Sequence, residues 1–373
     1  MLKGSYSADL LPGRQNENRK DDLSMTKIRN RFTHQEILSQ PTVWKNALDV
    51  ALAQAVPLKM LADGAEQVIF TGCGSTYYLS LAAAALFQEL TGKPARAIPA
   101  SELLFNPQTV LVGKADNLFN KALLIAVSRS GTTTETIRAV EAFKAYGRGP
   151  VLVISNYPDT PLSALGDVTL ILPAGQEESV AQTRSFASMY IATVAFSAIA
   201  AGRDDLLAAM TGLPAVGEYL LQKYAPLAQQ IGENLSFDRY YFLGSGILYG
   251  LACEVNLKMK EMTLTHSEPF HFLEFRHGPM SMVTPNAVIV GLLSENNAIH
   301  EQVVLNEMRA LGGTVLSLGE SGPDVAFESG LPEAVRGVLY LPVLQLTAWY
   351  RSLVKGLDPD RPANLTAVVY LDL

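Results

Sequence analysis

From Gln67 onward, short runs of β-branched and other apolar residues alternate with longer stretches whose apolar positions recur every three to four residues. The runs VIFTG (68–72), ALLIAVS (122–128), PVLVIS (150–155) and VTLILP (168–173) are almost continuously apolar, the pattern of strands covered by helices on both faces. Between them, SLAAAALFQELTG and TTTETIRAVEAFKAYG carry helical periodicity and stop at glycine. Strand and helix in this alternation predict parallel strands joined by crossover helices.

The same order recurs further on: YYFLGSG, a helix from about Leu248 to Leu264, the strand AVIVGLLS, the helix EQVVLNEMRALGG, then TVLSLG and VRGVLYLP as strands. Aligning Phe70-Thr71-Gly72-Cys73-Gly74 with Phe242-Leu243-Gly244-Ser245-Gly246 separates the copies by about 170 residues, too long a period for a solenoid. The expectation is therefore α/β: two tandem doubly wound parallel-sheet domains. They divide the chain into a polar, mobile segment over 1–31, a first domain over 32–200, and linker helices with the second domain over 201–373. A helix-rich stretch from about Ser185 to Ile231 joins the copies, and helices near Trp44 and Trp349 pack at the ends.

Composition narrows the function classes. Apolar residues at 48% and charged residues at 17% fit a folded globular chain and not a disordered one. A net charge of −7 without a basic stripe argues against nucleic acid as a partner. The N-terminal residues have no apolar core of a signal peptide, and no stretch reaches the roughly 18 uninterrupted apolar residues of a membrane span, the Ala-rich run after Tyr77 coming nearest. The only cysteines, Cys73 and Cys253, lie in apolar surroundings that suit a reducing compartment, so a cytoplasmic location is expected.

Three strand ends carry the candidate chemistry, because ligands of doubly wound sheets bind where strand C-termini and helix N-termini converge. After ALLIAV comes Ser128-Arg129-Ser130-Gly131-Thr132-Thr133-Thr134-Glu135-Thr136, hydroxyls and one glycine opening into a helix, which suits a phosphate. Helix capping accounts for one such hydroxyl, not six. The first strand ends in Thr71-Gly72-Cys73-Gly74-Ser75-Thr76, whose glycines admit close backbone approach but lack the third glycine of a dinucleotide loop.

The second copy has Ser294-Glu295-Asn296-Asn297 where the first has its hydroxyl run, and a carboxylate there argues against phosphate. Its helix instead carries Glu254, Lys258 and Glu261 on one face, with a carboxylate placed to be tuned as a general base. The alternative, a solvated salt-bridge ladder, conflicts with the otherwise apolar helix around it. The loop Phe270-His271-Phe272-Leu273-Glu274-Phe275-Arg276-His277-Gly278-Pro279 adds histidines suited to proton transfer. His266, His271 and His277 do not complete a metal-ligand spacing, and no metal is expected.

In this order, TGCGST, SRSGTT, the E-x₃-K-x₂-E helix, RHGP and the tail Asp360-Arg361-Pro362-Ala363-Asn364-Leu365 resemble the sugar isomerase (SIS) domain family, whose fold is flavodoxin-like, and most closely the isomerase half of glucosamine-6-phosphate synthase. The resemblance covers roughly residues 35 to 373. It implies that Ser128, the Arg129 backbone, Ser130 and Thr133 hold a 6-phosphate, with Gly74, Ser75 and Thr76 nearby against the sugar and Val180 and Ala181 lining its pocket. It also implies Glu261 as the proton shuttle between C1 and C2, Glu254 and Lys258 as its partners, and His277 as the ring-opening group, reaching the site from a neighbouring subunit of a homodimer with shared active sites.

Two departures from the synthase stand out. No cysteine-headed glutaminase domain accompanies this sequence, and Ala367 follows Asn364-Leu365-Thr366 where the family has a Schiff-base lysine. Both point toward the catabolic direction: an amino-sugar-phosphate deaminase/isomerase, independent of glutamine, converting a hexosamine 6-phosphate to a ketose 6-phosphate with release of ammonia. No cofactor is implied, since enolisation by a carboxylate needs none. The alternatives are a ketose–aldose isomerase, an enzyme for a fructosamine-type phosphate, and a sugar-phosphate-binding regulator, which would not need Glu261 and His277.

Overall fold

A computed structural model describes residues 31–111, 121–147 and 149–371; the polar segment expected to be mobile lies outside them, apart from Arg31. The first sheet contains β1 (Gln67–Gly72), β2 (Ala95–Pro99), β3 (Ala122–Ser128), β4 (Val151–Ser155) and β5 (Val168–Ile171) in the parallel order β2-β1-β3-β4-β5. The second contains β6 (Arg239–Leu243), β7 (His266–Phe270), β8 (Ala287–Leu292), β9 (Thr314–Gly319) and β10 (Val325–Ala326) in the order β10-β9-β8-β6-β7, the same topology read from the other edge. In both, the strand order reverses between the first and third strands, the switch point at which such sheets bind ligands.

The duplication extends to single backbone angles. Gly74 sits at φ 56, ψ −124 and Gly246 at φ 55, ψ −125, a region essentially closed to side-chain-bearing residues. Each glycine turns the chain from the end of the first strand of its sheet into a 17-residue helix. The register agrees too, with Phe70 opposite Ile125 and Phe242 opposite Val290.

One expected strand is helical. Residues 335–342, VRGVLYLP, fall in a helical turn (Glu333–Arg336), a 3₁₀ turn (Gly337–Tyr340) and the start of a long helix. A run buried all round reads equally as strand or helix, and Pro342, at the start of the long helix, favours the latter. The fifth strand of that sheet is the short β10. The edge strands β2 (ARAIP) and β7 (HSEPF) lack a continuous apolar run because only part of each is covered.

The helices that position the site are α1 (Arg31–Leu38), α2 (Gln40–Ala53), α3 (Ser75–Thr91), α4 (Thr134–Ala145), α5 (Arg184–Ala201), α6 (Leu213–Glu233), α7 (Ile247–Thr263), α8 (Ala298–Ala310) and α9 (Leu341–Val354). By length and composition α5 could cross a membrane, but most of it is buried, packed between α2 and α3. The two ends of the chain meet: His34 stacks on Trp349 at 4.2 Å and Gln40 Nε2 donates to Gln345 Oε1 at 2.7 Å.

The two repeats join through α3 and α7, each the first helix of its copy. Gly250 makes the crossing close: a Cβ there would lie 2.5 Å from Ala82 N and 2.6 Å from Tyr78 O, both backbone atoms of α3. Gly250→Ala is therefore expected to destabilise by about 1–3 kcal/mol despite alanine's better helix propensity. Urea unfolding checks this, and a stabilised variant would show that the helices can move apart without cost.

Candidate functional site

β3 is buried over its whole length and delivers Ser128 to the switch point, where Gly131, at φ 66, turns the chain toward α4. Ser128 Oγ accepts the Gly131 N–H at 3.2 Å, and Ser130 Oγ accepts both the Thr132 N–H (3.2 Å) and its O–H (3.0 Å). Thr133 holds the N-cap position of α4, yet its hydroxyl makes no capping bond. Capping therefore does not explain the hydroxyl run. Half-buried hydroxyls gathered at the first-turn amides of a helix make a cradle of the kind that can accept an anion.

Arg129 is 7% exposed and its guanidinium turns away from this cradle. Nη1 donates to Ser179 O (3.1 Å) and Val180 O (2.8 Å), and Nη2 donates to Ala367 O (3.0 Å). Only its backbone remains for a ligand, while its side chain ties the 179–180 segment and the C-terminal tail to the cradle.

In the second repeat, α7 carries the charged row. Glu254 and Lys258 are 0% and 1% exposed, and the Glu261 side chain is 19% exposed. Lys258 Nζ lies 2.5 Å from Glu261 Oε2, 3.3 Å from Glu254 Oε1 and 3.1 Å from Ser75 Oγ, and the Ser75 hydroxyl donates to Glu254 Oε1 at 3.2 Å. The row is thus joined to the first residue of α3 and so to the other repeat. Tethering Cys73 Sγ to Thr136 Oγ1 at 3.5 Å holds the β1 turn beside the first turn of α4.

One ammonium faces two carboxylates. Burial pushes the Glu254 carboxyl up to about 8, against the pull of Lys258, and the nearby Glu261 adds to the rise. Burial opposes the charge on Lys258, but Glu254 and Glu261 together outweigh it and hold its ammonium above the ordinary value. Near neutral pH the cluster is expected to keep a proton on Glu254, whose Oε2 has no hydrogen-bond partner, while Glu261 stands at the open end of the row.

The profile of the SIS domain family matches residues 61–199 and 236–326, more than half of the chain. The chain belongs to this family. It is 29% identical over 319 residues to glutamine–fructose-6-phosphate aminotransferase (isomerizing) of Methanothermobacter thermautotrophicus, covering 82% of this chain and 52% of that one. It is 27% identical over 375 residues to the same-named protein of Escherichia coli K12, covering 92% and 59%. The chain thus spans between half and three-fifths of these curated relatives. Among solved structures it resembles glucosamine-6-phosphate deaminase from Thermotoga maritima at 25% identity and TM-score 0.71, covering 91% of this chain and 99% of that one. Tagatose-6-phosphate ketose/aldose isomerase from Escherichia coli, at 23% identity and TM-score 0.78 with 89% and 95% covered, shares the fold.

In this SIS chain the expected site residues fall in several places. Ser75, Glu254, Lys258 and Glu261 form one hydrogen-bonded set, and Ser128, Ser130 and Thr133 gather at the cradle. Thr76 serves its own turn: its hydroxyl donates to Cys73 O and accepts the Cys73 N–H, both at 2.9 Å. Val180 and Ala181 belong to a segment fixed from behind, with the Val180 N–H donating to Asp360 O at 2.9 Å. His277 stands exposed on the loop after β7, its backbone N–H donating to Glu274 O at 3.0 Å, and makes no described contact with the α7 row of its own chain.

Sequence reasoning missed the carboxylates that hold this arrangement. Glu36 accepts the Glu178 N–H at 2.7 Å and the Ser179 hydroxyl; Glu177 accepts the Thr183 N–H and O–H, both at 2.7 Å, and the Ser185 hydroxyl. Asp360 accepts the Thr33 N–H at 2.8 Å and its hydroxyl at 2.6 Å, pinning the tail to α1. The partners of Glu36 and Asp360 lie more than 140 positions away and leave no local signal, while Glu177 bonds within its own segment, where no periodic pattern marks it. The loop after β8 fills its own cradle, since Glu301 accepts the Ser294 N–H at 2.7 Å and its hydroxyl at 3.1 Å, which accounts for the lack of a hydroxyl run there.

Proposed function

We propose that this chain is a glutamine-independent amino-sugar-phosphate deaminase/isomerase, converting a hexosamine 6-phosphate to a ketose 6-phosphate and ammonia. The observation that carries the reading is the buried Glu254–Lys258–Glu261 row hydrogen-bonded to Ser75, next in the chain to the β1 turn whose Cys73 touches Thr136 in the first turn of α4. A binding protein has no use for a carboxylate and a buried ammonium held in this way. The full-length likeness to the Thermotoga maritima deaminase, and an alanine at 367 where the synthases resembled here have an amine, support the deaminating direction.

In this mechanism the cradle hydroxyls and the α4 amides hold the 6-phosphate, supplying orientation energy away from the reacting carbons. His277, contributed by the second subunit of a homodimer, assists ring opening. Glu261 removes the C2 proton of the open aldosamine, and the electron pair forms the C1–C2 enolamine. The same carboxylic acid returns the proton to C1, giving a C2 ketimine. Water adds at C2, the C–N bond breaks, and ammonia leaves with the ketose 6-phosphate. The Lys258 ammonium offsets charge on Glu261 through the cycle. Two free cysteines accord with a reducing, cytoplasmic setting.

The test is ammonia release from the purified protein given glucosamine 6-phosphate and, separately, galactosamine 6-phosphate, without glutamine. Release with either supports the reading and names the sugar. Interconversion of a ketose and an aldose phosphate without ammonia would replace it by a plain isomerase. Ser130→Ala is expected to raise KM by roughly tenfold and weaken competition by inorganic phosphate; an unchanged KM would remove this loop as the anchor.

A further inference from the structure

Arg129 lies within the hydroxyl run, yet its guanidinium takes no part in the cradle. Its main chain is pinned first: the Arg129 carbonyl accepts the Asn156 N–H at 3.1 Å and the Ser155 hydroxyl at 3.2 Å, both from the end of β4. From that fixed base the side chain reaches two distant segments. It donates to Ser179 O and Val180 O, 50 and 51 positions away, and to Ala367 O, 238 positions away. Glu177 Oε2, 3.9 Å from Nη1, is the counter-ion that offsets the burial of this charge.

Residues 176–183 and 355–371 belong to no helix or strand. No ladder of backbone hydrogen bonds sets their carbonyls, so side chains must. The tail has a second tie to the cradle, where the Leu371 N–H donates to Thr134 Oγ1 at 3.1 Å. A guanidinium donates from two nitrogens in fixed directions and can hold two segments at a set spacing; a lysine ammonium is a point charge on a flexible stem and cannot.

We propose that the Arg129 side chain is a positioning residue for the sugar. It ties the 179–180 segment and the tail at Ala367 to the loop that anchors the phosphate, so that a sugar attached to that phosphate meets both segments in one arrangement. The inference rests on the phosphate anchor in the function proposed above, not on the release of ammonia. Inorganic phosphate needs the loop alone, whereas the sugar needs the two segments as well, so Arg129 distinguishes the two kinds of ligand.

Calorimetric titrations with inorganic phosphate, and with glucitol 6-phosphate and galactitol 6-phosphate, which have no carbonyl to react, test this on the wild type, Arg129→Lys and Arg129→Gln. Thermal melting of each accompanies them. The wild type is expected to bind one of the polyol phosphates about tenfold more tightly than phosphate. Both variants are expected to melt cooperatively, to bind phosphate within about twofold of wild type and to lose that tenfold preference. Equal weakening of phosphate and polyol phosphate would make Arg129 a support of the loop itself and overturn the proposal. Unchanged binding of both, or no cooperative melt in either variant, would overturn it too. A wild type that binds neither polyol phosphate better than phosphate would show that the two segments contribute nothing. Binding of none of the three ligands would remove the phosphate anchor and this inference with it, while ammonia release bears on the deaminase reading alone.

Discussion

Glu261→Gln is expected to lower kcat by about three to four orders of magnitude while sugar-phosphate binding stays near the wild-type value. Glutamine keeps the shape and an oxygen able to accept the Lys258 ammonium, now 2.5 Å from Glu261 Oε2. It cannot take a proton from carbon. The groups at 128–134 proposed to anchor the phosphate belong to the other repeat and are untouched. Steady-state kinetics with a separate binding titration checks both halves. A kcat within tenfold of wild type would remove Glu261 as the base, and equal losses in kcat and affinity would make it a binding group.

The second large effect falls on stability. Lys258→Met is expected to cost about 3–5 kcal/mol at pH 8, because it takes the cation from Glu261 and from the fully buried Glu254, whose carboxyl must then be protonated on folding. The loss should shrink in acid. Burial raises the folded-state value of Glu254 from 4.5 to about 8, so its contribution is fully present below 4.5 and is lost as pH rises toward 8. Without Lys258 the carboxyl is driven further up, so the variant must take up a proton at Glu254 to fold, a cost that is absent below 4.5 and grows as pH rises. Urea unfolding of wild type and variant at pH 5 and pH 8 measures the difference. The same loss at both values would mean that the lysine acts through packing of its stem and not through charge.

Much of this site could be read along the chain because its parts are local. The cradle is a strand followed at once by hydroxyls and a helix, and the α7 row is a spacing of four and three residues on one helix. The duplication was legible for the same reason, since each glycine turn sits next to its strand and fixes a backbone conformation closed to other residues. The fate of residues 335–342 was not: a run buried on all sides has no periodicity to distinguish strand from helix, and contacts from α6 and α7 decide it.

The amino-acid order by itself determined two α/β repeats, the hydroxyl-rich loop after β3 and the single charged face of α7. Only the tertiary structure decided that α3 and α7 cross at Gly250, bringing Ser75 of one repeat against Glu254 and Lys258 of the other, and that Glu36, Glu177, Arg129 and Asp360 brace the site from distant positions. Short-range pattern carries backbone preference and burial. The ionisation of Glu254 depends on desolvation and on charges brought together from both repeats, and those exist only once the chain has packed.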